Sequence, residues 1–217
     1  MKYKVILFDF DGTLADTLPV CFYSFQQVFT KYDNRTLSNQ DIIAMFGPSE
    51  VGIIQQNLLC KDRIDEAIED FYFFYEREHE KLVSRNKDVL ELINLIHKKG
   101  ILTGIVTGKA RRSFEISVKH LFPSELFQVS ITGDDVAFPK PHPEGIIKAM
   151  NILGCSPEET IFVGDSSADI EAGKRANVKT VGVNWLENSH GSEFLMKPDY
   201  EYSRISDFIS EVIGSSK

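Results

Sequence analysis

The sequence predicts an α/β fold, a three-layer domain built on a parallel sheet, with an all-helical domain inserted after its first strand. Three observations carry that prediction. Short apolar runs rich in β-branched residues end at a polar residue or a glycine: Val5–Phe8 before Asp9, Ile105-Val106 before Thr107, and Ile161-Phe162-Val163 before Gly164-Asp165. Runs of this kind read as strands buried on both faces. Helical patterns separate the later runs, as expected of βαβ units. Between the first run and the second lies a stretch, 16–84, with no strand pattern and dense helical periodicity.

Each element has its own local signal. In the inserted stretch Leu18, Phe22, Phe25, Phe29 and Tyr32 share one helical face, as do Ile64, Ile68, Phe71 and Tyr75. Aromatic stripes at this spacing read as core. Ser38 with Asp41 caps a short helix, and Pro48 after Gly47 opens another. Residues 88–99 form an amphipathic helix with Val89, Leu92, Ile93 and Ile96 inward and Gly100 as its stop. Two further strands are expected at 128–132 and 179–184. A helix between them begins at Pro143 and ends at Gly154, and Ser156-Pro157-Glu158-Glu159 has capping-box spacing. A short 198–202 segment precedes a final helix at 207–213. The expected division is a core of 1–15 and 85–217 around an insert of 16–84. The two links, near 15–17 and 84–87, can act as a hinge.

The chain has 217 residues, which suits a domain of about 150 residues carrying a smaller insert. With 42% hydrophobic and 26% charged residues it has material for a sizeable core, which excludes wholesale disorder. The 24 Lys and Arg face 32 Asp and Glu, a net charge of −8 with no basic run, so nucleic acid is not an expected partner. No apolar stretch has the length of a membrane span or a signal-peptide core, and the expected location is the cytoplasm, as a monomer or homodimer. Cys21, Cys60 and Cys155 are odd in number and lack CxxC spacing, so they read as buried free thiols.

Ligands of open parallel sheets bind beyond the carboxyl ends of the strands, where the polar endings gather. Asp9 and Asp11 lie two residues apart at such an end, and Gly12 lets the chain turn so that both face one volume. Acids forced together need balancing charge, which points to a divalent cation with Asp165 and Asp169 as further anionic groups. Lys140, in Pro139-Lys140-Pro141-His142-Pro143, supplies a fixed positive charge. Thr107-Gly108 sits at a strand-to-helix junction whose free N–H groups and hydroxyl can receive phosphate oxygens. Together these make a phosphoryl-transfer site for a small phosphorylated substrate.

At these residues the sequence resembles the haloacid dehalogenase superfamily of phosphohydrolases. The four signatures occur in order as Asp9-Phe10-Asp11-Gly12-Thr13, Thr107, Lys140, and Gly164-Asp165-Ser166-Ser167-Ala168-Asp169. The insert resembles the family's C1-type helical cap. The branch it most resembles is phosphoglycolate phosphatase and its pyrophosphatase relatives, through residues 9–17, Phe46-Gly47-Pro48-Ser49 and Lys140-Pro141-His142-Pro143-Glu144. The resemblance implies a Rossmann-like core and an aspartyl-phosphate formed on Asp9, with Asp11 as acid and then base. It also implies Mg²⁺ held by Asp9, the backbone carbonyl of Asp11 and Asp165, with Asp169 as ligand or outer partner. Lys140, Thr107 and Gly108 would bind the phosphoryl oxygens.

Blander readings accompany each residue. Asp-Gly is a common turn, Thr107 alone reads as a helix cap, and Asp165 and Asp169 alone read as acids near a helix start. Asp134-Asp135 reads as loop capping, and His142 as a structural loop residue. Lys109, Arg111 and Arg112 read as solvated, with Lys109 the nearest to substrate. The five histidines show no metal-ligand spacing. Phe46, Gly47, Ser49 and Glu50 are the insert positions expected to meet the leaving group. A dehalogenase would not need Asp11; a pyrophosphatase, a 5′-nucleotidase and a sugar phosphomutase remain open alternatives to a phosphoglycolate phosphatase.

The charge is unevenly spread. From Lys61 to Lys81 eight acids face four bases, so half of the net charge lies on one segment, read as a solvated face. At the site, four carboxylates against Lys140 leave −3, which Mg²⁺ brings to −1. Without the cation this pocket repels its own substrate.

Overall fold

The computed structural model describes residues 3–123, 126–189 and 194–214. Val5–Phe8 forms β1. The chain then builds α1 (Leu18–Asp33), α2 (Asn39–Ile43), α3 (Glu50–Asn57) and α4 (Ile64–Leu82) before returning through α5 (Lys87–Lys98). From there it alternates: β2 (Leu102–Val106), α6 (Arg111–Leu121), β3 (Val129–Ile131), α7 (Glu144–Leu153), β4 (Thr160–Gly164), α8 (Ser167–Arg175) and β5 (Lys179–Val183). It closes with β6 (Tyr200–Tyr202), α9 (Ile205–Phe208) and a wider helical turn at Ile209–Gly214. The sheet order is β3-β2-β1-β4-β5-β6 and every pairing is parallel. This is a doubly wound sheet whose strand order reverses beside β1, the point where such sheets leave a crevice.

Strand residues alternate between two apolar layers. Ile6, Phe8, Ile161 and Val163 join one cluster with Leu92, Ile96, Phe114 and Phe208 from α5, α6 and α9. Val5, Leu7, Phe162 and Val129 join the other with Ile146, Met150 and Ala172 from α7 and α8. The first cluster runs on without a break into the inserted helices through Phe10, Phe25, Phe29, Phe71 and Tyr75. The Phe10 ring meets Phe114 edge-on at 5.0 Å, which fixes the chain leaving β1 against α6. The expected aromatic stripes are therefore core, with Phe22 and Tyr32 at its margin.

Local signals hold with a few shifts. Ser38 and Asp41 form a reciprocal capping box, as do Ser156 and Glu159. Gly100 and Gly154 follow their helices with left-handed backbone. Helix α3 starts at Glu50, so Pro48 stands two residues ahead of it rather than opening it. The 198–202 segment contains β6, an edge strand too short and too polar to show periodicity. The last helix begins at Ile205, ahead of the expected 207. Of the three free cysteines only Cys21 is buried; Cys60 and Cys155 are half-buried, a correction to the expectation of three buried thiols. Six of the eight acids of 61–81 are exposed, while Asp70 pairs with Lys31 and Glu78 with Arg77 and Lys81. That face is solvated as expected.

The insert also contacts α6 through a buried histidine. His79 Nε2 lies 3.0 Å from Ser117 Oγ, which also bonds Tyr75 Oη at 2.8 Å, and the His79 ring stacks on His120 at 4.9 Å. Burial, then repulsion from His120, pulls the His79 imidazole down to about 4. The unfolded chain therefore takes up the proton first as pH falls. Between the ordinary value of 6.5 and about 4, stability is expected to drop by up to ~3 kcal/mol. Urea unfolding at several pH values checks this: the slope across that window flattens in His79→Asn.

Candidate active site

Strand register assembles the site. Phe8 stands opposite Ile105 on β2 and Val163 on β4, so the residues that follow all three strands emerge together. Asp9 continues β1 by donating its N–H to Val163 O at 2.8 Å, and Thr107 continues β2 by donating to Ile131 O at 2.9 Å. Asp165 follows β4 directly. Two glycines allow the close approach. Gly12 has φ +80°, and a Cβ there would stand 2.2 Å from an Asp165 carboxylate oxygen. A Cβ on Gly164 would stand 2.4 Å from Asp169 Cβ.

Asp9, Asp165 and Asp169 are buried, and one carboxylate oxygen from each lies within 4.8 Å of the others. Lys140 reaches into this group, donating to Asp9 Oδ1 at 2.7 Å and Asp169 Oδ1 at 2.5 Å. Thr13 Oγ1 donates to Asp165 at 3.0 Å, and the second Asp169 oxygen takes the Ser166 N–H and hydroxyl. Asp169 is thus both cap of α8 and member of the acid group, which joins its bland and functional readings. Burial first, and then Asp169, push the Asp9 carboxyl well above the ordinary range, against the pull of Lys140. Burial works against the Lys140 charge, but Asp169 and Asp9 outweigh it and hold the ammonium protonated. Three buried carboxylates with one ammonium leave excess negative charge on hard oxygen donors. That donor set fits a hard divalent cation such as Mg²⁺.

The Asp11 carboxylate stands outside this group. It accepts from the Thr17 hydroxyl and lies 3.2 Å from Lys109 Nζ. Lys109 is not solvated: its side chain is 1% exposed and lies 3.2 Å from Glu50 Oε1 and 4.8 Å from the Tyr75 ring centre. Burial works against its charge, and Asp11, Tyr75 and Glu50 together keep it well above an ordinary lysine. Arg111 is also held, by Asp135 and Ser130 O, while Arg112 pairs with Glu69 at 2.6 Å on the surface.

The junction after β2 differs from its expected open amides. Lys109 N–H goes to Thr107 Oγ1, Ala110 N–H to Glu50 at 2.6 Å, and Arg111 N–H to Asp134 at 2.8 Å. Of the amides from Thr107 to Arg111, that of Gly108 has no partner among the described residues. Asp134 and Asp135 therefore cap loops, as expected, and stand apart from the acid group. His142 accepts from Glu144 N–H at 3.3 Å in its loop, while His190 lies outside the described residues.

A cavity of about 390 Å³ opens over Asp9, Asp11, Thr107, Gly108 and Lys140. The insert supplies Leu18, Cys21, Phe25, Phe46, Gly47 and Glu50 to its wall. Ser49 does not line it and abuts Gly133 instead. Thr13, Thr17 and Glu50's reach to α6 are polar contacts that periodicity does not signal, whereas the Ser166-x-x-Asp169 capping spacing was visible. Lys140→Met strands two buried carboxylates and is expected to cost about 3 kcal/mol in metal-free urea unfolding, where an exposed lysine would cost almost nothing.

A model of haloacid dehalogenase-like hydrolases matches residues 6–183. Pyrophosphatase PpaX of Anoxybacillus flavithermus is 36% identical over 210 residues, covering 97% of both chains. PpaX of Bacillus mycoides is 34% identical over 209 residues, 96% of both. A predicted phosphoglycolate phosphatase from Haemophilus somnus superposes with TM-score 0.83 at 22% identity, over 97% of this chain and 98% of that one. CbbY of Rhodobacter sphaeroides, solved with phosphate, gives 0.82 at 20%, over 95% and 96%. At such identities the two structures speak for the fold. The family model and the near full-length relatives, meeting the four signatures at one end of this sheet, show that the chain belongs to the haloacid dehalogenase-like hydrolases.

Proposed function

We propose that this hydrolase is a Mg²⁺-dependent phosphatase acting on a small phosphorylated metabolite through an aspartyl-phosphate on Asp9. The observation that supports this most is the separation of two nearby acids into different surroundings. Asp9 is buried against Lys140 and two further carboxylates, whereas Asp11 faces Thr17 and Lys109 across the same cavity. That separation supports a reading in which Asp9 bonds to phosphorus and Asp11 carries a proton.

In this reading Lys140 holds one oxygen of Asp9 and leaves the second for in-line attack. The Thr107 hydroxyl, the Gly108 amide and Lys140 bind the phosphoryl oxygens. Asp11 gives its proton to the leaving oxygen, then takes one from the water that attacks the acyl phosphate, returning Asp9 and free phosphate. Asp9, the Asp11 carbonyl and Asp165 would hold Mg²⁺, with Asp169 beside them. A bound Mg²⁺ supplies positive charge to the acid group and to the phosphoryl oxygens.

The reading treats 16–84 as a cap over a core of 1–15 and 85–217, and places the enzyme in the cytoplasm with its charged substrates. Phosphoglycolate is the first substrate candidate, from the resemblance of residues 9–17 and 46–49. Pyrophosphate is the second, favoured by the PpaX relatives. Phosphate release from phosphoglycolate, pyrophosphate, a nucleoside monophosphate and a sugar phosphate tests both. With Mg²⁺ the protein is expected to exceed Asp9→Asn by at least about 10³-fold on one of them. Equal release by both proteins on all four would sink the reading.

A further inference from the structure

The cavity holds a second polar cluster beside the phosphoryl site, and it joins the two parts of the chain that the proposed hinge would separate. Glu50 begins α3 in the insert, yet it is 5% exposed and its carboxylate is spent entirely on the core. Oε2 takes the Ala110 N–H at 2.6 Å and Oε1 takes the Ser113 hydroxyl at 2.6 Å, both at the amino end of α6. Lys109 Nζ lies 3.2 Å from the same carboxylate. On its other side this ammonium lies 3.2 Å from Asp11 Oδ1, and beneath it is the Tyr75 ring of α4. Lys109 therefore touches the proposed proton carrier and two insert residues at once.

We propose that Glu50 and Lys109 are positioning residues: Glu50 latches the insert onto the start of α6, and Lys109 ties that closed position to the Asp11 carboxylate. The part concerning Asp11 rests on the phosphatase reading; the latch itself does not.

Swinging the insert away removes Glu50 and Tyr75 from Lys109 together and frees the Ala110 and Ser113 donors. Lys109 then keeps Asp11 as its one carboxylate partner among those just named. The Glu50 contacts are buried and charge-assisted, so water replaces them poorly until the cavity floods. Thr17, at the first link, bonds Asp11 as well, so the link and the latch converge on one side chain. Asp11 is thus held in place when the insert is down and less constrained when it is up. The surface pair Arg112–Glu69 also crosses between α6 and α4, but its side chains are half-exposed or more and it should hold little.

Cys21 reports the movement. It is 7% exposed, lines the same cavity from α1, and its thiol is pushed up by burial, with Lys109 pulling it down and Glu50 and Asp11 adding to the rise. Cys60 and Cys155 are half-buried and do not line the cavity, and they serve as internal references.

The experiment is timed N-ethylmaleimide labelling of the full chain without substrate, read peptide by peptide by mass spectrometry. In wild type, Cys21 is expected to react more slowly than Cys60. In Glu50→Gln, which keeps an acceptor for Ala110 N–H and the side-chain shape, Cys21 labelling should rise about tenfold or more while Cys60 and Cys155 stay unchanged. Arg112→Gln should leave Cys21 within about twofold of wild type. An unchanged Cys21 rate in Glu50→Gln, an equal rise in Arg112→Gln, or a wild-type Cys21 already as reactive as Cys60 would each overturn the latch. Steady-state kinetics with Mg²⁺ on whichever phosphorylated compound the panel identifies test the second part. Lys109→Met should lower kcat about tenfold or more with KM within about threefold. A change in KM alone would overturn the link to Asp11. Absence of any phosphatase activity, with the labelling as expected, would overturn the phosphatase reading and leave the latch standing.

Discussion

Everything at the sheet's carboxyl end is arranged around one electrostatic conflict: Asp9, Asp165 and Asp169 buried together, with the Lys140 ammonium held between Asp9 and Asp169. Burying three carboxylates costs far more than one ion pair returns, so the arrangement persists only because the surrounding fold imposes it. Strand register brings Asp9 and Asp165 side by side, the capping box of α8 brings in Asp169, and two glycines remove the atoms that would hold them apart. The loop after β3 brings Lys140 from the opposite side.

The same topology explains the division of labour between neighbouring acids. Asp9 ends a buried strand, where the chain is fixed by sheet hydrogen bonds. Asp11 follows at the turn where the chain leaves for the insert, and its partners come from the link and from the start of α6. Two residues of separation are enough to place one carboxylate in the acid group and the other on Lys109. Lys109 and Glu50 both line the cavity, and their opposite charges leave its overall acidity as the sequence implied.

Most of the fold was legible because its signals are local. Buried parallel strands show as unbroken apolar runs, and helices show periodicity with a cap or a glycine at the end, as at 88–100 and 143–154. Edge strand β6 was missed because three residues with polar flanks carry no period. The site was legible where it lies at strand ends, as with Asp9, Thr107 and Asp165, since their positions follow from the strands themselves. Glu50 and Lys109 were legible as positions near the leaving group and the substrate, but their pairing was not, because it depends on long-range packing of the insert against α6: the lysine of Thr-Gly-Lys looks solvated until the two parts meet. The amides after β2 were misjudged for the same reason, being already taken by Glu50 and Asp134.

Completion of the acid group by a divalent cation is tested most directly by thermal unfolding of wild type and Asp165→Asn across a Mg²⁺ titration at fixed pH. Wild type should melt at steadily higher temperature with rising Mg²⁺, by about 2.7 kcal/mol of added stability at a hundred times the dissociation constant. Asp165→Asn, relieved of one buried charge, should melt no lower than wild type without the metal and gain nothing from it. A wild-type midpoint indifferent to Mg²⁺, or an equal gain in both proteins, would contradict the account.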